Sequence, residues 1–173
     1  NKNRFRTTLK KLGHPTPKFF VINKKNLNQM NLVIKEIGFP LIVKNSDSSG
    51  SRGTKIFDKK DINAIKKQVE LAIKVSRSGN ALIEECWEGS EHTVETIFDV
   101  NGEFHPCFIT DRIFDKENGY PVEIELFHPS KLSIEIQKEM FDIAKKVAID
   151  LGITIGAAKY DMILTKNGIR IIE

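Results

Sequence analysis

The sequence predicts an α+β fold that is divided into two lobes. Strand-like apolar runs and helical stretches follow one another in the order helix, β-α-β-β-α-β, a meander of strands, one helix and a final hairpin. A chain of 173 residues is long enough for one domain or two small lobes. Hydrophobic residues make up 40% of the chain, which is enough to build a core at this size.

The first half of the chain supplies three helices and four strands in this prediction. In the longest helix, Ile62, Ile65 and Val69 repeat at helical spacing, and Gly79 ends the helix. Strands are predicted where short apolar runs are bounded by turn residues. In order, the segments are a helix in NRFRTTLKKLG, a strand in KFFVI, a helix in NLNQMNLVIKEIG, strands in FPLIVK and TKIF, a helix in DKKDINAIKKQVELAIKVSRSG and a strand in ALIEECW.

The second half predicts a strand meander, a long helix and a closing hairpin. EHTVETIFDV alternates like a half-buried strand, and Asn101-Gly102 is a strong hairpin turn before the strand EFHPCFITDRIF. DKENGYPVEIELFHPSKLS is polar, and we predict a long irregular connection there. The clearest helix begins at Ser133 and stops at Gly152. The strands GAAKYDMILT and IRIIE then pair around the turn KNG.

Composition and charge argue against several classes of protein. The net charge is +4, but the lysines are scattered, and interleaved aromatic residues that would stack on nucleic acid bases are absent. No run of about 18 apolar residues occurs, so we expect no membrane span. Cys86 and Cys107 have no metal-binding spacing and fit the reducing cytoplasm, where we expect the protein to reside. The chain starts at Asn1 rather than Met, so we expect a piece of a longer protein.

The polar segment KNSDSSGSRG, which begins at Lys44, separates two predicted strands. The connection to Thr54 is longer than an ordinary hairpin turn of about 2–5 residues, and extra length in a compact domain is often functional. Gly50 and Gly53 would let backbone N–H groups approach an anion, which the ammonium of Lys44 could also reach. By itself the segment fits a mobile hairpin tip as well as a loop that closes over phosphate.

Two groups of acidic residues have candidate roles. The run LIEECWEGSE presents Glu84, Glu85 and Glu91 at a strand end, where backbone groups could meet an adenine edge and a carboxylate could bind ribose hydroxyls; a charged strand end is the alternative. Asp161 and Glu173 lie in two strands of one predicted hairpin. Facing carboxylates repel unless a cation lies between them, and Mg²⁺ prefers such oxygen ligands. Solvent-facing positions are the alternative for this pair.

This ordered set of segments resembles the ATP-grasp superfamily. NKNRFRTTLKKLGHPTP resembles the helix and proline-rich stretch that open the fold, and GFPLIVKNSDSSGSRGTKIF resembles its strand, phosphate-contacting lysine and glycine-rich loop. ALIEECWEGSEHTVETIF resembles the adenine hinge with its Gly-x-Glu step, and GAAKYDMILTKNGIRIIE resembles the two metal-binding strands. The resemblance implies a two-lobed ATP-grasp fold in which each lobe is an antiparallel sheet with helices and the nucleotide lies between the lobes.

The resemblance also implies a division into domains. Residues 1–17 would form an N-terminal helix and linker, residues 18–85 the first lobe with the glycine-rich loop, and residues 86–173 the second lobe with the metal-binding strands. In the family the last motif continues as Glu-x-Asn, usually with an arginine beyond, and another domain precedes the first helix. We therefore expect the chain to be truncated at both ends relative to the full protein.

Individual site residues follow from the same resemblance. Lys159 would act on the transferred phosphoryl group, and Arg112 and Glu123 would face the acceptor, with Arg112 as a ligand of a substrate carboxylate. The remaining implied roles belong to Lys2, Lys44, Ser49, Gly50, Ser51 and Gly53 at the ATP phosphates, Glu84, Glu85, Cys86 and Trp87 at the adenine, Glu91 at the ribose, and Asp161 and Glu173 at Mg²⁺, with Mn²⁺ as an alternative ion.

The activity that the resemblance implies is ATP-dependent ligation of a carboxylate to an amine through an acyl phosphate. The region ITDRIFDKENGYPVEIELFHPSKLS resembles amino-acid and dipeptide ligases, so ATP and a small carboxylate or amine are the expected partners, and a homodimer is left open. No nucleic acid or membrane partner is expected. Enzymes like carbamoyl-phosphate synthase or biotin carboxylase, which act on bicarbonate, and a non-catalytic ATP-binding module are the alternatives.

Overall fold

The computed structural model describes residues 1–48, 52–115 and 117–173. These residues form two compact units, and the predicted first helix belongs to the first of them. A short segment from the second half of the chain also belongs to the first unit. The first unit contains Asn1–Lys11, Thr16–Trp87 and Phe114–Val122, and the second contains Leu12–Pro15, Glu88–Ile113 and Glu123–Glu173.

Helices and strands follow the predicted order over most of the chain. The helices are α1 (Lys2–Lys11), α2 (Met30–Ile37), α3 (Ile62–Val75) and α4 (Ile134–Asp150). The strands are β1 (Phe19–Asn23), β2 (Leu41–Asn45), β3 (Lys55–Phe57), β4 (Asn80–Glu85), β5 (Ser90–Phe98), β6 (Phe104–Asp115), β7 (Val122–Phe127), β8 (Gly156–Thr165) and β9 (Gly168–Ile171).

The first unit is built on an antiparallel sheet with the strand order β1-β4-β2-β3. In the inner strand β4, Ile83 is in register with Phe20 on one side and with Val43 on the other. The helices α2 and α3 complete the core, because their apolar residues recur at helical spacing. Members of this core include Ile22, Val33, Ile34, Leu41, Val43, Ile65, Val69, Ala81 and Ile83.

The second unit is built on a sheet with the strand order β7-β6-β5-β8-β9, in which β5 is antiparallel to both β6 and β8. The helix α4 packs against β5 and β8 and buries Met140, Ala144 and Val147. It follows Ser133, as predicted, and the side chain of this residue accepts a hydrogen bond from the N–H of Ile136 at 3.4 Å.

The two faces of the second sheet differ in polarity. Directly opposed residues of neighbouring strands point to the same face, and successive residues of one strand point to opposite faces. Val94 of β5 is opposed by Ile109 and Tyr160, and all three are buried. Glu91 and Thr93 of the same strand point to the other side, which we call the polar face.

The connection that we predicted as irregular contains the strand β7 at the edge of the second sheet. Its sequence alternates as Val-Glu-Ile-Glu-Leu, but the glycine and proline before it indicated a loop. Ile124 and Leu126 are 62% and 55% exposed. The prediction was wrong here because an edge strand is held by backbone pairing on one side, so its side chains need not form a buried run.

Candidate functional site

The polar segment between β2 and β3 is anchored at both of its described ends. The side-chain amide of Asn45 donates to the carbonyl oxygen of Arg52, and its oxygen accepts from the N–H groups of Asp47 at 3.1 Å and Ser48 at 2.6 Å. The ends are therefore less loose than the sequence indicated, because one asparagine satisfies backbone groups on both sides. Three predicted phosphate contacts lie outside the described residues: Ser49, Gly50 and Ser51.

The start of this segment is also tied to the end of α3. The carboxylate of Asp47 accepts hydrogen bonds from Ser76 Oγ and from the N–H groups of Arg77 and Ser78, at 2.8 to 2.9 Å. Ser48 Oγ donates to the carbonyl oxygen of the last residue of α3 at 2.8 Å. Burial raises the pKa of Asp47, but hydrogen bonds from Ser78, Ser76 and Arg77 outweigh it and hold the pKa below its ordinary value.

Gly53, a predicted phosphate contact, lies against α3. Its φ is +71°, and a Cβ atom there would lie 2.9 Å from Val75 Cγ2 and 3.3 Å from Ala72 Cα. The close approach to the helix and the positive φ both require glycine. The structure thus supplies a packing reason for this glycine, and its contact with phosphate stays a prediction.

Lys2 lies at the start of α1, beside the first residues of the polar segment. Its backbone N–H donates to the carbonyl oxygen of Ser46 at 2.7 Å, and its ammonium donates to the carbonyl oxygen of Ser48 at 3.1 Å. Two bonds therefore hold the N-terminus of the helix to the segment in which we predict phosphate binding.

Lys44, on β2, forms an ion pair inside the first unit. Its ammonium lies 3.0 Å from Glu84 Oε2, and the guanidinium of Arg6 donates to the same carboxylate at 2.9 Å through Nε and at 3.3 Å through Nη2. Burial raises the pKa of Glu84, but the charges of Lys44 and Arg6 and their hydrogen bonds outweigh it and lower the pKa to about 2. The side chain of Glu84, which we had placed at the adenine hinge, is thus the buried counter-ion of the predicted phosphate lysine.

Sequence reasoning missed Arg6, although a signal for it exists. Arg6 is three residues before Leu9, so both lie on the same face of α1. Leu9 is fully buried and Arg6 is only 3% exposed. A charged residue on the apolar stripe of a helix indicates a buried partner. The sequence alone could not show that this partner is Glu84.

The predicted adenine hinge spans the end of β4 and the two residues after it, and its backbone is partly used within the first unit. The N–H of Glu85 donates to the carbonyl oxygen of Lys18 at 2.9 Å, and the N–H of Cys86 donates to that of Pro40 at 3.0 Å. Trp87 is half-buried. These two N–H groups are therefore occupied, and any base contact has to come from other atoms of the hinge.

The polar face of the second sheet brings several predicted residues together. Glu91 is in register with Arg112, Thr93 with Asp161, and Glu95 with Lys159. Because opposed residues share a face, acidic and basic side chains from three strands point to the same side. Glu95 was not among the predicted site residues.

Arg112 is held by carboxylates on this face. Its Nη1 lies 2.6 Å from Asp161 Oδ2, and its Nε donates to Glu123 Oε2 at 2.5 Å. Burial lowers the pKa of Arg112, but the charges of Asp161, Glu123 and Glu91 outweigh it and raise the pKa. The structure therefore brings together Arg112 and Glu123, the two residues that we expected at the acceptor.

Lys159 lies two residues before Asp161 on β8, and its ammonium is 3.7 Å from Asp161 Oδ1. Its side chain is 56% exposed, whereas that of Asp161 is 19% exposed. An exposed ammonium on a flexible stem can move toward a phosphoryl group without breaking a buried contact.

The predicted metal pair lies where β8 meets the end of β9. The strand β9 ends at Ile171, so the prediction that Glu173 belongs to a strand was wrong. The N–H groups of both Ile172 and Glu173 donate to the carbonyl oxygen of Asp161, at 2.7 and 3.2 Å. Because two residues thus face a single residue of β8, the regular hydrogen-bond ladder stops here. The N–H of Asp161 still donates to the carbonyl oxygen of Glu173 at 2.8 Å, so the backbones are neighbours.

The donor set suits a hard divalent cation. Asp161 Oδ1 accepts from Thr93 Oγ1 at 3.1 Å, which orients the carboxylate on the polar face. Carboxylate oxygens are the ligands that Mg²⁺ prefers, and partners that orient a ligand are a regular part of metal sites. The carboxylates of Asp161 and Glu173 have the chemistry that Mg²⁺ prefers, and their binding of the ion stays a prediction.

His92 on β5 is only 3% exposed. Its ring nitrogens lie 2.9 Å from Asp111 Oδ1 and 2.8 Å from Ser90 Oγ. Asp111 also accepts hydrogen bonds from Ser130 Oγ and from the N–H of Lys131. This network ties the segment before α4 to β5 and β6, which is consistent with a structural role for the imidazole.

Known proteins resemble this chain over most of its length. The family model of the D-ala D-ala ligase C-terminus matches residues 8–173. A formate-dependent phosphoribosylglycinamide formyltransferase of Prochlorococcus marinus is 35% identical over 130 residues, which cover 73% of this chain and 32% of that protein. A D-alanine–D-alanine ligase of Desulforamulus reducens is 28% identical over 177 residues, which cover 96% of this chain and 55% of that protein.

Solved structures share the fold. The VanG D-Ala:D-Ser ligase from Enterococcus faecalis superposes with a TM-score of 0.83 at 19% identity, over 98% of this chain and 49% of that one. This chain thus spans only 32% to 55% of the length of these three proteins. Within the described residues, no helix is both long and apolar enough to cross a membrane.

The resemblance read from the sequence is confirmed by a family model that spans nearly the whole chain, and the two-lobed fold class by the sheets and by the structural neighbours. The chain belongs to the family of D-Ala–D-Ala ligase C-terminal domains, which have the ATP-grasp fold.

Proposed function

We propose that this chain binds Mg-ATP in an enzyme that ligates a carboxylate to an amine, with an amino acid or a small peptide as the substrate class. The observation that carries the proposal is the polar face, where Glu91, Arg112, Lys159 and Asp161 meet. Membership of the D-Ala–D-Ala ligase family supports the reaction type. Because the chain covers 55% of such a ligase, the proposal concerns the activity of the whole protein.

ATP would be held at its phosphates, adenine and ribose by separate groups of residues. The ammonium of Lys44 is held by Glu84, and the ammonium of Lys2 is bonded to the start of the polar segment, so both would present positive charge at defined positions. The remaining proposed contacts are Lys2, Ser49, Gly50, Ser51 and Gly53 at the phosphates, Glu85, Cys86 and Trp87 at the hinge, and Glu91 at the ribose.

Asp161 and Glu173 would hold Mg²⁺, and Mn²⁺ would replace it because both ions accept oxygen ligands. The ion would supply positive charge that offsets the negative charge of the substrate phosphates. Thr93 and Arg112 would keep the carboxylate of Asp161 in place, since both contact it directly.

The reaction needs no nucleophile from the protein. The substrate carboxylate attacks the γ-phosphorus of ATP, ADP leaves, and an acyl phosphate forms. The amine then attacks the carbonyl carbon, and phosphate leaves as the nitrogen loses a proton. Lys159 and Arg112 would contribute by placing positive charge near the transferred group and the carboxylate. Glu123 would orient Arg112 through the bond to its Nε.

The test is ADP release from Mg-ATP in the presence of amino acids, formate or bicarbonate, supplied singly. We expect an amino acid to stimulate ADP formation and Asp161→Asn to reduce this rate by at least about 100-fold, as for loss of a key charge in an active site. Asp150→Asn is the control, because Asp150 pairs with His14 at the end of α4. Stimulation by bicarbonate alone would favour a carboxylase-like enzyme and contradict the proposal.

Formate is a second candidate substrate, since the relative with 35% identity is a formate-dependent formyltransferase. Stimulation by formate and by no amino acid would support it, and the chemistry would still be that of a carboxylate and an amine. ATP binding without substrate-dependent turnover under any condition would indicate a nucleotide-binding module. A homodimer and a cytoplasmic location are further proposals; light scattering would test the first.

A further inference from the structure

Two cations share one buried carboxylate in the first unit. Arg6 donates through Nε to Glu84 Oε1 at 2.9 Å and through Nη2 to Oε2 at 3.3 Å. The ammonium of Lys44 lies 3.0 Å from the same Oε2. The three side chains together carry a net charge of +1. We call this set the Arg6–Glu84–Lys44 triad.

The members of the triad differ in exposure. The side chains of Glu84 and Arg6 are 1% and 4% exposed, whereas that of Lys44 is 15% exposed. Arg6 uses two donors on the carboxylate, and such a fork holds its geometry better than a single ammonium does. Lys44 is therefore the member whose charge can reach a ligand, and Arg6 is the member that satisfies Glu84.

The charge balance would change sharply without Arg6. Glu84 would then face Lys44 alone, and the pair would be neutral. A buried carboxylate with one remaining partner holds that partner tightly, because an unpaired buried charge is very costly. The ammonium of Lys44 would be drawn to Glu84, and little net positive charge would remain for an anion.

We propose that Arg6 is a positioning residue for nucleotide phosphate: by neutralising Glu84 it fixes the ammonium of Lys44 and leaves one positive charge for the phosphates. This inference rests on the proposed function, in which Lys44 contacts ATP, and extends it to Arg6, which is not among the proposed phosphate contacts. A purely structural triad would stabilise the first unit without affecting phosphates in particular. The two roles predict different responses to ATP and to adenosine.

The experiment compares binding of Mg-ATP and of adenosine to the whole chain by calorimetry. We expect Arg6→Met to weaken Mg-ATP binding at least about tenfold while adenosine binding changes less than about twofold, since adenosine has no phosphate. Arg6→Lys, which keeps the charge, should bind Mg-ATP within about threefold of wild type. The double variant Arg6→Met/Glu84→Gln should also regain Mg-ATP binding, because it removes the carboxylate that would otherwise neutralise the charge of Lys44.

Arg4→Met is the matched control, because Arg4 is an exposed basic residue two positions away on the same helix. It should leave binding of both ligands unchanged. If Arg6→Met does not fold, the variant Glu84→Gln provides the test instead. An affinity for Mg-ATP equal to or higher than that of wild type supports the charge balance, and a tenfold lower affinity overturns it. Wild-type Mg-ATP affinity in Arg6→Met, or equal losses for ATP and adenosine, would also overturn the inference.

Failure of the proposed function is seen separately. A wild-type chain that binds no Mg-ATP would overturn the nucleotide site and this inference together. A Lys44→Met variant that binds Mg-ATP as well as wild type would overturn the proposed role of Lys44, and this inference with it. Loss of binding in Lys44→Met with normal binding in Arg6→Met would overturn only the inference.

Discussion

Among the described residues, Glu84 is the only acidic residue that is buried. Arg6 and Lys44 balance its charge. Its pKa in the folded state is about 2, below the ordinary value of 4.5. A depressed carboxyl pKa contributes stability above the unfolded pKa, and this contribution is lost as the pH falls through the folded pKa. For Glu84 the loss therefore lies between about pH 4.5 and pH 2.

We predict that Glu84→Gln flattens the acid dependence of stability. For a pKa that moves from 4.5 to about 2, linkage gives roughly 3 kcal/mol in full, of which about 2 kcal/mol is lost by pH 3. The free energy of unfolding from urea titrations at pH 6 and pH 3 measures this. Wild type should lose about 2 kcal/mol more than the variant over this range. Equal losses would show that Glu84 does not titrate as the triad requires.

Gly53 and Gly79 form a matched pair with positive φ values, +71° and +67°. A Cβ atom on Gly53 would lie within 3.4 Å of Val75 and Ala72 of α3, whereas a Cβ atom on Gly79 would have no neighbour within 4 Å. Replacement by alanine should cost about 1–2 kcal/mol at Gly79, from the backbone alone. At Gly53 we expect about 1–3 kcal/mol more, from overpacking. Urea unfolding checks both, and equal costs would contradict the contact with α3.

At the scale of elements, the polar segment and α3 act together. The side chain of Asn45 forms hydrogen bonds with backbone groups on both sides of the segment. Asp47 and Ser48 bond the start of the segment to the end of α3. A loop held at its base by side-chain bonds can present N–H groups to an anion with less loss of conformational freedom on binding. The anchoring of the described ends supports the prediction of phosphate binding, which the binding experiments below would test.

We predict that Asn45→Ala weakens Mg-ATP binding as well as the fold. The change removes bonds to three backbone groups, so it should cost about 1–3 kcal/mol of stability. Asn26→Ala is the control, because Asn26 bonds backbone groups of Asn23 and Val21 at 2.7 and 3.0 Å elsewhere in the same unit. Both variants should lose stability in urea, and only Asn45→Ala should lose ATP affinity in calorimetry. An equal fall in affinity would argue against a role for the anchored segment.

At the scale of the whole molecule, binding of nucleotide must increase the free energy of unfolding. A ligand that binds only the folded state stabilises it by about 2.7 kcal/mol at 100 times its dissociation constant. We therefore predict that Mg-ATP raises the unfolding temperature of wild type, and that removal of Mg²⁺ with a chelator reverses most of the rise. Asp161→Asn should show a smaller rise and little response to the chelator. An identical shift with and without Mg²⁺ would contradict a metal site at Asp161.

The elements of the fold were largely predictable, because helical periodicity, strand alternation and turn residues are local properties of a sequence. α3, α4 and the β8–β9 hairpin lie where the patterns placed them. The strand β7 did not follow from the patterns, because an edge strand with exposed Ile124 and Leu126 lacks the buried run that marks a strand. The end of β9 also differed, since only pairing to β8 shows that two residues oppose Asp161.

The sequence by itself determined the α+β class, the order of the elements and the positions of the motifs that identify the family. Only the tertiary structure decided how the charges pair: Arg6 with Glu84, 78 positions away, and Arg112 with both Asp161 and Glu123. Such pairs depend on strand register and on helix packing, which join residues that no local pattern connects. Glu84 was therefore read as part of a hinge, and packing made it the counter-ion of Lys44.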